Sequence, residues 1–224
     1  MQTFRTEAII LRRTNYGEAD RILNVLTPDR GKLSAIAKGV RKAKSKLAGG
    51  LELFATCDIT LVGGKSDMYT VSSARLIKFY GDILKDYDHM QFAYELVKMI
   101  NRATETVSEP EFYYLLRDGF VYLNELSVDH RVVELWFRLR FAAALGVGLN
   151  LAATAGGDQL KVEERYNFDF GDMAFVPHPS GRFDAERIKL LRLAQAKDPA
   201  VLRQVSGLGD ALEDCLWLVR ALNQ

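Results

Sequence analysis

The residues of this chain that are best suited to chemistry are the cations of one basic stretch, residues 30–51. The stretch contains seven Lys and Arg side chains and no Asp or Glu. Seven like charges repel one another in a compact domain unless a larger anion meets them, and a polyphosphate is the simplest such anion. A lysine-rich run also occurs as a solvated loop that only keeps a protein soluble, so both interpretations stay open. A basic pair, Arg12-Arg13, also lies near the end of the first predicted strand. Together with the seven cations of the stretch, it gives these candidate nucleic-acid contacts: Arg12, Arg13, Arg30, Lys32, Lys38, Arg41, Lys42, Lys44 and Lys46.

Charge is distributed unevenly along the 224 residues. The formal net charge is only +1, but residues 1–80 hold fourteen Lys and Arg against seven Asp and Glu, and the rest hold sixteen against twenty-two. This division indicates a basic module joined to a neutral or acidic one. With 48% hydrophobic residues, each module has enough apolar side chains to bury a core.

The elements that would position the basic stretch are short strands. Alternating apolar and polar residues predict five of them, at 6–16, 21–26, 32–38, 54–62 and 68–76. Five short antiparallel strands favour a small closed barrel, because closure removes the exposed edges. Gly64-Lys65-Ser66 is reminiscent of a phosphate-binding loop, but that motif needs Gly at position 59, which is Ile, and a following helix. We therefore reject it.

After Tyr80 the hydrophobic period changes from two to about 3.6, which is typical of helices. Helices are predicted over 92–103, 112–123, 129–145, 184–196 and 210–222, and their apolar stripes indicate a bundle core. Residues 147–183 are irregular, with a small hairpin across Gly171-Asp172. We predict an α+β fold with a barrel domain at 1–80 and a helical domain at 81–224.

Side chains that could catalyse a reaction are few and scattered. His89, His130 and His178 share no catalytic or metal-ligand spacing. Cys57 and Cys215 each lie among apolar neighbours, which predicts buried reduced thiols, with a disulfide as the alternative. We predict no enzyme activity and no metal or cofactor.

No apolar run approaches the ~20 residues that cross a bilayer. The N-terminus is a charged strand where a signal peptide needs an apolar helix. We expect a cytoplasmic protein with no membrane partner.

The first 80 residues resemble the family of the bacterial recombination mediator RecO. The segments that carry the resemblance are Thr6 to Leu11, Tyr16 to Asp20, Leu26-Thr27, Gly31 to Leu33, Ala37 to Arg41, Lys44 to Gly49 and Leu51 to Phe54. In the helical part, 137–140 followed by Leu145-Gly146 is similar to the end of a family helix, with Arg138 where an acid is usual and Val147 where an aromatic is usual.

The resemblance implies an OB-fold barrel that binds single- and double-stranded DNA and anneals complementary strands. It also implies cooperation with RecR, contact with the acidic C-terminal tail of single-stranded DNA-binding protein (SSB), help to RecA during gap repair, and a place at the nucleoid. Many members carry a four-cysteine zinc site after that helix, but residues 147–183 contain no cysteine, so we expect no zinc. For the SSB tail, an apolar groove edged by cations is a candidate, at Trp136, Arg138, Arg140 and Phe141.

Several alternatives remain open on the sequence. Tyr16, Phe54 and Tyr69 either stack on bases or belong to the core. The Trp136 group is either a peptide groove or ordinary helix packing. The chain is alternatively an RNA-binding barrel or a small enzyme that uses a histidine of its helical domain.

Overall fold

The structure is a computed structural model that describes residues 3–63, 68–107, 109–202 and 208–222. It divides into two compact units, Met1–Asn124 and Glu125–Gln224. Among the residues described, no helix is both long and apolar enough to cross a membrane.

The first five strands form the predicted closed barrel. Their order around it is β1-β2-β3-β5-β4, and β4 pairs with β1 to close the ring. All neighbours run antiparallel except β3 and β5, which pair in parallel at Ala35–Tyr69 and Ile36–Thr70. The strands are β1 (Thr3–Tyr16), β2 (Asp20–Thr27), β3 (Gly31–Ala37), β4 (Ala55–Gly63) and β5 (Tyr69–Phe79).

Alternate residues of the strands fill the barrel, as the sequence predicts. Ala8, Ile10, Leu23 and Val25 lie in one core cluster with apolar residues of the other three strands. In the turn between β2 and β3, Gly31 adopts a φ of +61°, a conformation that glycine adopts without a steric cost.

Two helices belong to the same unit as the barrel, α1 (Tyr87–Ala103) and α2 (Glu111–Leu123). The Phe120 ring of α2 lies 5.6 Å from the rings of both Phe54 and Tyr80. The Tyr113 hydroxyl donates a 2.9 Å hydrogen bond to Glu7 Oε2 on β1. The predicted boundary at residue 80 therefore marks the end of the strands, whereas the compact unit continues to Asn124 because these contacts join the helices to the barrel.

In its described residues, the second unit combines four helices with a small sheet. The elements are α3 (His130–Ala144), β6 (Asn150–Thr154), β7 (Tyr166–Asp169), β8 (Ala174–Pro177), α4 (Ala185–Ala196), α5 (Pro199–Leu202) and α6 (Gly209–Leu222). Helix α3 packs against α4, α5 and α6. One apolar cluster, which includes Leu135, Phe175, Phe183, Leu191 and Leu216, forms the core.

The segment 147–183 is more regular than predicted. The hairpin across Gly171-Asp172 is confirmed as β7 and β8, but the sheet has a third strand, β6, which pairs in parallel with β8. Strand β6 reads Asn-Leu-Ala-Ala-Thr and has little alternation. Its partner is more than twenty residues away, so no local pattern predicts the pairing.

Candidate nucleic-acid interface

The part of the basic stretch that leaves the barrel is a loop, residues 38–46, between β3 and β4; we call it the basic loop. Its backbone is fastened to the turn between β1 and β2. The Arg41 amide donates to the Ala19 carbonyl at 2.9 Å, and the Gly39 amide donates to Asp20 Oδ1 at 2.7 Å. Gly39 has a φ of +65°, a conformation that glycine adopts without a steric cost. The loop is thus held by backbone contacts and leaves its side chains outside.

Apolar residues anchor the connection to the barrel at both ends. Val40 and Leu51 are buried and belong to the barrel core. Between them, a β-carbon on Gly50 would lie 2.6 Å from the Ala74 backbone, so only glycine fits there. The loop therefore sits at a defined place on the barrel surface.

Five cations of the basic loop are exposed, namely Lys38, Arg41, Lys42, Lys44 and Lys46. No ion pair joins any of the five to a carboxylate in the part of the chain that the structure describes. Within the described chain, the side chains of this set make one long hydrogen bond, which Arg41 Nη1 donates to the Gly17 carbonyl at 3.4 Å. Five positive charges on one small surface, without a protein anion, attract a polyanion such as a nucleic acid.

The other predicted cations have different surroundings. Arg12 is exposed on β1. Arg13 Nη1 binds Glu52 Oε2 at 3.1 Å and the Leu51 carbonyl at 3.3 Å, so its charge is partly neutralised and it ties β1 to the far end of the connection. Arg13 therefore has a structural contact, whereas the role of Arg12 in DNA binding stays a prediction.

Arg30 and Lys32 lie at the opposite end of β3 from the basic loop, roughly 20 Å away for a strand of this length. The Arg30 guanidinium lies 4.1 Å above the ring of Phe4. Lys32 Nζ donates to the Asn101 carbonyl at 2.9 Å and lies 3.8 Å from Glu105 Oε1. The basic stretch therefore divides into two groups, and only the group at 38–46 combines exposure with charges that no carboxylate of the described chain neutralises.

The three candidate stacking residues differ in exposure and in their neighbours. Phe54 is only 2% exposed and packs its ring 4.8 Å from that of Tyr94, so it is a core residue. Tyr69 is half-buried and meets the Phe4 ring edge-on at 5.4 Å. Tyr16 is 55% exposed, and it pairs across β1 and β2 with Asp20, the residue that caps the basic loop. Tyr16 alone of the three presents a ring beside the loop.

The four residues predicted to receive the SSB tail lie on α3. Trp136, Arg138 and Phe141 are buried. Arg138 Nε donates to Glu134 Oε1 at 2.8 Å, and the Arg140 guanidinium lies 5.0 Å from the Trp136 ring centre. Residues 132–139 are all buried and Arg140 is half-buried, which is typical of helix packing. The assignment of the SSB tail to these four residues stays a prediction.

Glu134 on α3 is a buried carboxylate that two arginines, Arg138 and Arg220, contact. Burial alone would raise the pKa of its carboxyl, but hydrogen bonds from Arg220 and the charges of Arg138 and Arg220 hold that pKa below its ordinary value. Arg220 Nε and Nη2 donate to the two Glu134 oxygens at 2.8 and 2.7 Å. A buried carboxylate in this setting is structural, because both of its oxygens are already occupied.

The histidines do not come together in a catalytic group. His89 Nδ1 lies 2.8 Å from Asp86 at the start of α1, and His178 Nδ1 accepts a hydrogen bond from the Ser180 amide at 3.2 Å. In the ranges 3–63, 68–107, 109–202 and 208–222, no three His, Cys, Asp or Glu side chains are grouped as a metal site would require. Residues 64–66, which were considered as a phosphate-binding loop, lie outside the described residues.

Both cysteines are buried and free, which confirms the expectation of reduced thiols. Burial raises the pKa of Cys57 to about 12 and that of Cys215 to about 12. Thiols with such a pKa stay protonated at neutral pH and are poor nucleophiles.

Comparison with known proteins identifies relatives of this chain. Residues 1–80 match the family described as recombination protein O N terminal. The chain is 35% identical over 146 residues to the DNA repair protein RecO of Heliobacterium modesticaldum, covering 65% of this chain and 52% of that protein. It is 32% identical over 156 residues to the DNA repair protein RecO of Desulfosudis oleivorans, covering 68% and 60%. The chain thus spans about half the length of the curated relatives it matches.

Proposed function

We propose, from the match of residues 1–80 to the recombination protein O N-terminal family and from the RecO relatives, that this chain belongs to the RecO family and is a recombination mediator of DNA repair. In this proposal the barrel binds single- and double-stranded DNA, and the protein anneals complementary strands. It also cooperates with RecR, contacts the SSB tail and helps RecA to load, which would place it at the nucleoid in the cytoplasm. The relatives' names supply the link to DNA repair, and the remaining statements are proposals for this chain.

The observation that carries the DNA-binding part is the basic loop. Its five exposed cations have no carboxylate partner among the described residues and stand beside an exposed aromatic ring, Tyr16. Cations that neutralise phosphates release condensed counterions, and an aromatic ring stacks on a base. In OB-fold barrels the loop between the first two strands is part of the nucleic-acid surface, and here the basic loop is bonded to that same turn.

Annealing requires no catalytic group. Two complementary strands repel each other through their phosphates, and a surface that holds both lowers that repulsion. We therefore propose that the protein is not an enzyme and needs no cofactor to bring strands together.

The zinc site of many family members does not fit this chain. Residues 147–183 contain no cysteine, and the three strands in that segment are held by apolar contacts instead. The Phe175 ring lies 5.3 Å from that of Phe168 and 5.4 Å from that of Phe183, all within the core of the unit. These apolar contacts pack the segment, and we propose that the chain holds no zinc there.

The test is single-stranded DNA binding across a salt series, measured by fluorescence anisotropy of a labelled oligothymidine. One variant replaces Arg41, Lys42, Lys44 and Lys46 by alanine. A contact to a phosphate of a single strand contributes ~0.7 to the log–log salt slope, so four lost contacts make the slope shallower by about 3. The native chain and the variant are also compared on a matched RNA strand.

A matched control removes the same charge elsewhere. Lys98, Arg102, Lys189 and Lys197 are exposed and lie outside the basic loop, so their replacement by alanine should leave the slope close to that of the native chain. If the loop variant keeps the native slope and affinity, the loop is a solvated surface and the DNA-binding proposal for it fails. A clear preference for the RNA strand would favour the RNA-binding alternative.

A further inference from the structure

Asp20 is a carboxylate within the surface that is proposed to bind a polyanion. It begins β2 and pairs with Tyr16 of β1. Its Oδ1 accepts a 2.7 Å hydrogen bond from the backbone amide of Gly39, so the partner of this oxygen is the backbone of the basic loop and not a loop cation. A negative charge in this place repels phosphates. Attraction of DNA therefore does not explain the acid, whereas its bond to the loop indicates a role in holding the loop.

The hydrogen bond lies where the chain leaves β3. The pairing of β2 with β3 ends at Ala37, so Asp20 and Gly39 both lie just beyond the paired strands. Here the Asp20 carboxylate accepts a bond of the kind that a backbone carbonyl accepts within the ladder. The next fixed point is the 2.9 Å bond from the Arg41 amide to the Ala19 carbonyl. Two adjacent residues, Ala19 and Asp20, therefore hold the start of the basic loop.

Asp20 thereby links the two parts of the proposed DNA surface. Through its backbone it pairs with Tyr16, whose side chain is 55% exposed, and through its carboxylate it holds the loop that carries five exposed cations. A ring that stacks on a base and cations that neutralise phosphates act on one strand only when their spacing fits that strand. A loop that is fixed before binding also loses less conformational freedom when DNA binds.

We propose that Asp20 is a positioning residue, whose carboxylate holds the basic loop in the conformation that binds DNA. The inference rests on the proposed function, because the loop must bind DNA for its position to matter. Asp20 then has two opposite effects on affinity. Its charge weakens the binding of phosphates, and its hydrogen bond to Gly39 strengthens that binding by ordering the loop.

The magnitudes decide which effect prevails. An exposed charge changes a binding constant by up to about fivefold. Fixing the backbone of one residue lowers a binding constant by roughly fivefold to thirtyfold, and a loop without the Asp20 contact has to fix Gly39 and its neighbours when DNA binds. The ordering effect is therefore the larger one. Removing Asp20 should weaken DNA binding although it removes a negative charge.

The test is oligothymidine binding by the full chain across a salt series, with Asp20→Ala as the first variant. We expect binding to weaken by about tenfold at every salt concentration, because salt does not screen an ordering effect. The log–log slope, which counts phosphate contacts, should stay close to that of the native chain. The Gly39 amide should also exchange with solvent faster in this variant than in the native chain, as NMR would measure.

Two matched variants separate position from charge. Asp20→Asn keeps an Oδ1 acceptor for the Gly39 amide and removes the charge, so it should bind oligothymidine at least as tightly as the native chain. Glu18 is exposed in the same turn, and within the described residues its side chain makes no hydrogen bond to the basic loop. Glu18→Ala should tighten binding by up to about fivefold at low salt. That gain should disappear at 1 M salt, where charges are screened over about 3 Å.

A double variant tests whether the effect of Asp20 acts through the basic loop. In the loop variant with four alanines, Asp20→Ala should cause no further loss of affinity, because the loop no longer contacts phosphates. Urea unfolding verifies that each variant is folded.

Gly39→Ala takes the place of Asp20→Ala if the latter does not fold. It strains the same contact, because Gly39 has a φ of +65°. A β-carbon there would lie 3.6 Å from the Lys42 side chain, which is an ordinary contact. Gly39→Ala should weaken oligothymidine binding without a change in slope, and native affinity in this variant would overturn the inference.

Native or tighter binding by Asp20→Ala overturns the inference, because charge then outweighs position, and so does unchanged exchange of the Gly39 amide. An equal loss in Asp20→Asn also overturns it, since the acceptor is then not the cause, as does a further loss in the loop variant, since Asp20 then acts elsewhere. If the loop variant itself keeps the native slope and affinity, the proposed function fails and the inference falls with it. If the loop variant loses affinity and Asp20→Ala does not, the proposed function stands and only the inference fails.

Discussion

Lys32 Nζ donates a 2.9 Å hydrogen bond to the backbone carbonyl of Asn101, in the last turn of α1. The last four carbonyls of a helix have no partner within the helix, and a lysine at this end also interacts favourably with the helix dipole. Lys32 is a strand residue of the barrel and Asn101 belongs to the helix packed beside it, so the bond ties the two together. Lys32, which the sequence predicts as a nucleic-acid contact, therefore has a structural contact in the fold.

The first prediction follows from this contact. Lys32→Ala should lower the free energy of unfolding by about 1 to 2 kcal/mol, because it removes a charge-assisted hydrogen bond at a helix end. It should leave the salt slope for oligothymidine unchanged. Urea unfolding measures the first quantity and the anisotropy titration measures the second. A salt slope that becomes shallower by ~0.7, the contribution of one phosphate contact, with the free energy of unfolding unchanged, would place Lys32 on DNA and contradict the structural role.

Tyr16 is expected to contribute to binding through its ring and not through charge. Tyr16→Ala should weaken oligothymidine binding by about 1 to 3 kcal/mol, the range found for one stacked base, and should leave the salt slope unchanged. Tyr16→Phe keeps the aromatic face and serves as the matched control, with affinity close to that of the native chain. Equal affinities for Tyr16→Ala and the native chain would mean that the ring is only an exposed side chain.

Glu134 is predicted to be essential to the stability of the second unit. Glu134→Gln removes the carboxylate that the Arg138 and Arg220 guanidinium groups bind, and breaking a buried pair of this kind costs about 3 to 5 kcal/mol. Glu186→Gln, on an exposed residue of α4, is the matched control and should be nearly neutral. Thermal and urea unfolding measure the stability of both variants against that of the native chain. A cost below about 1 kcal/mol for Glu134→Gln would show that the packing around it does not depend on the charge.

The same carboxylate makes a prediction about pH. Its arginine partners hold the pKa of Glu134 below the ordinary value of 4.5 in the folded state. A group whose folded pKa is lowered stabilises the fold above its unfolded pKa, and that contribution disappears as the pH falls through the folded pKa. The difference in stability between the native chain and Glu134→Gln should therefore be constant near neutral pH and shrink below about pH 4.5, as urea unfolding at several pH values would show. A difference that stays constant into acid would contradict this assignment.

Most of the elements could be read from the sequence. The five strands of the barrel, the hairpin at 166–177 and the five longer helices follow from local patterns, since period and turn residues act over a few neighbours. Strand β6 and the parallel pairing of β3 with β5 do not, because their partners are far away in the chain. The basic loop was predictable for the same reason, because its charges are consecutive in the chain.

The tertiary structure alone decided which cations remain open to a ligand. Lys32 meets Asn101 across 69 residues, Arg13 meets Glu52 across 39 and Arg220 meets Glu134 across 86. A hydrogen bond or an ion pair forms wherever the fold brings two groups within about 3 Å, and no periodicity along the chain records that distance. The sequence by itself therefore determined where positive charge is concentrated, and only the fold decided that Lys38, Arg41, Lys42, Lys44 and Lys46 are the part of it that faces solvent without an anion in the described chain.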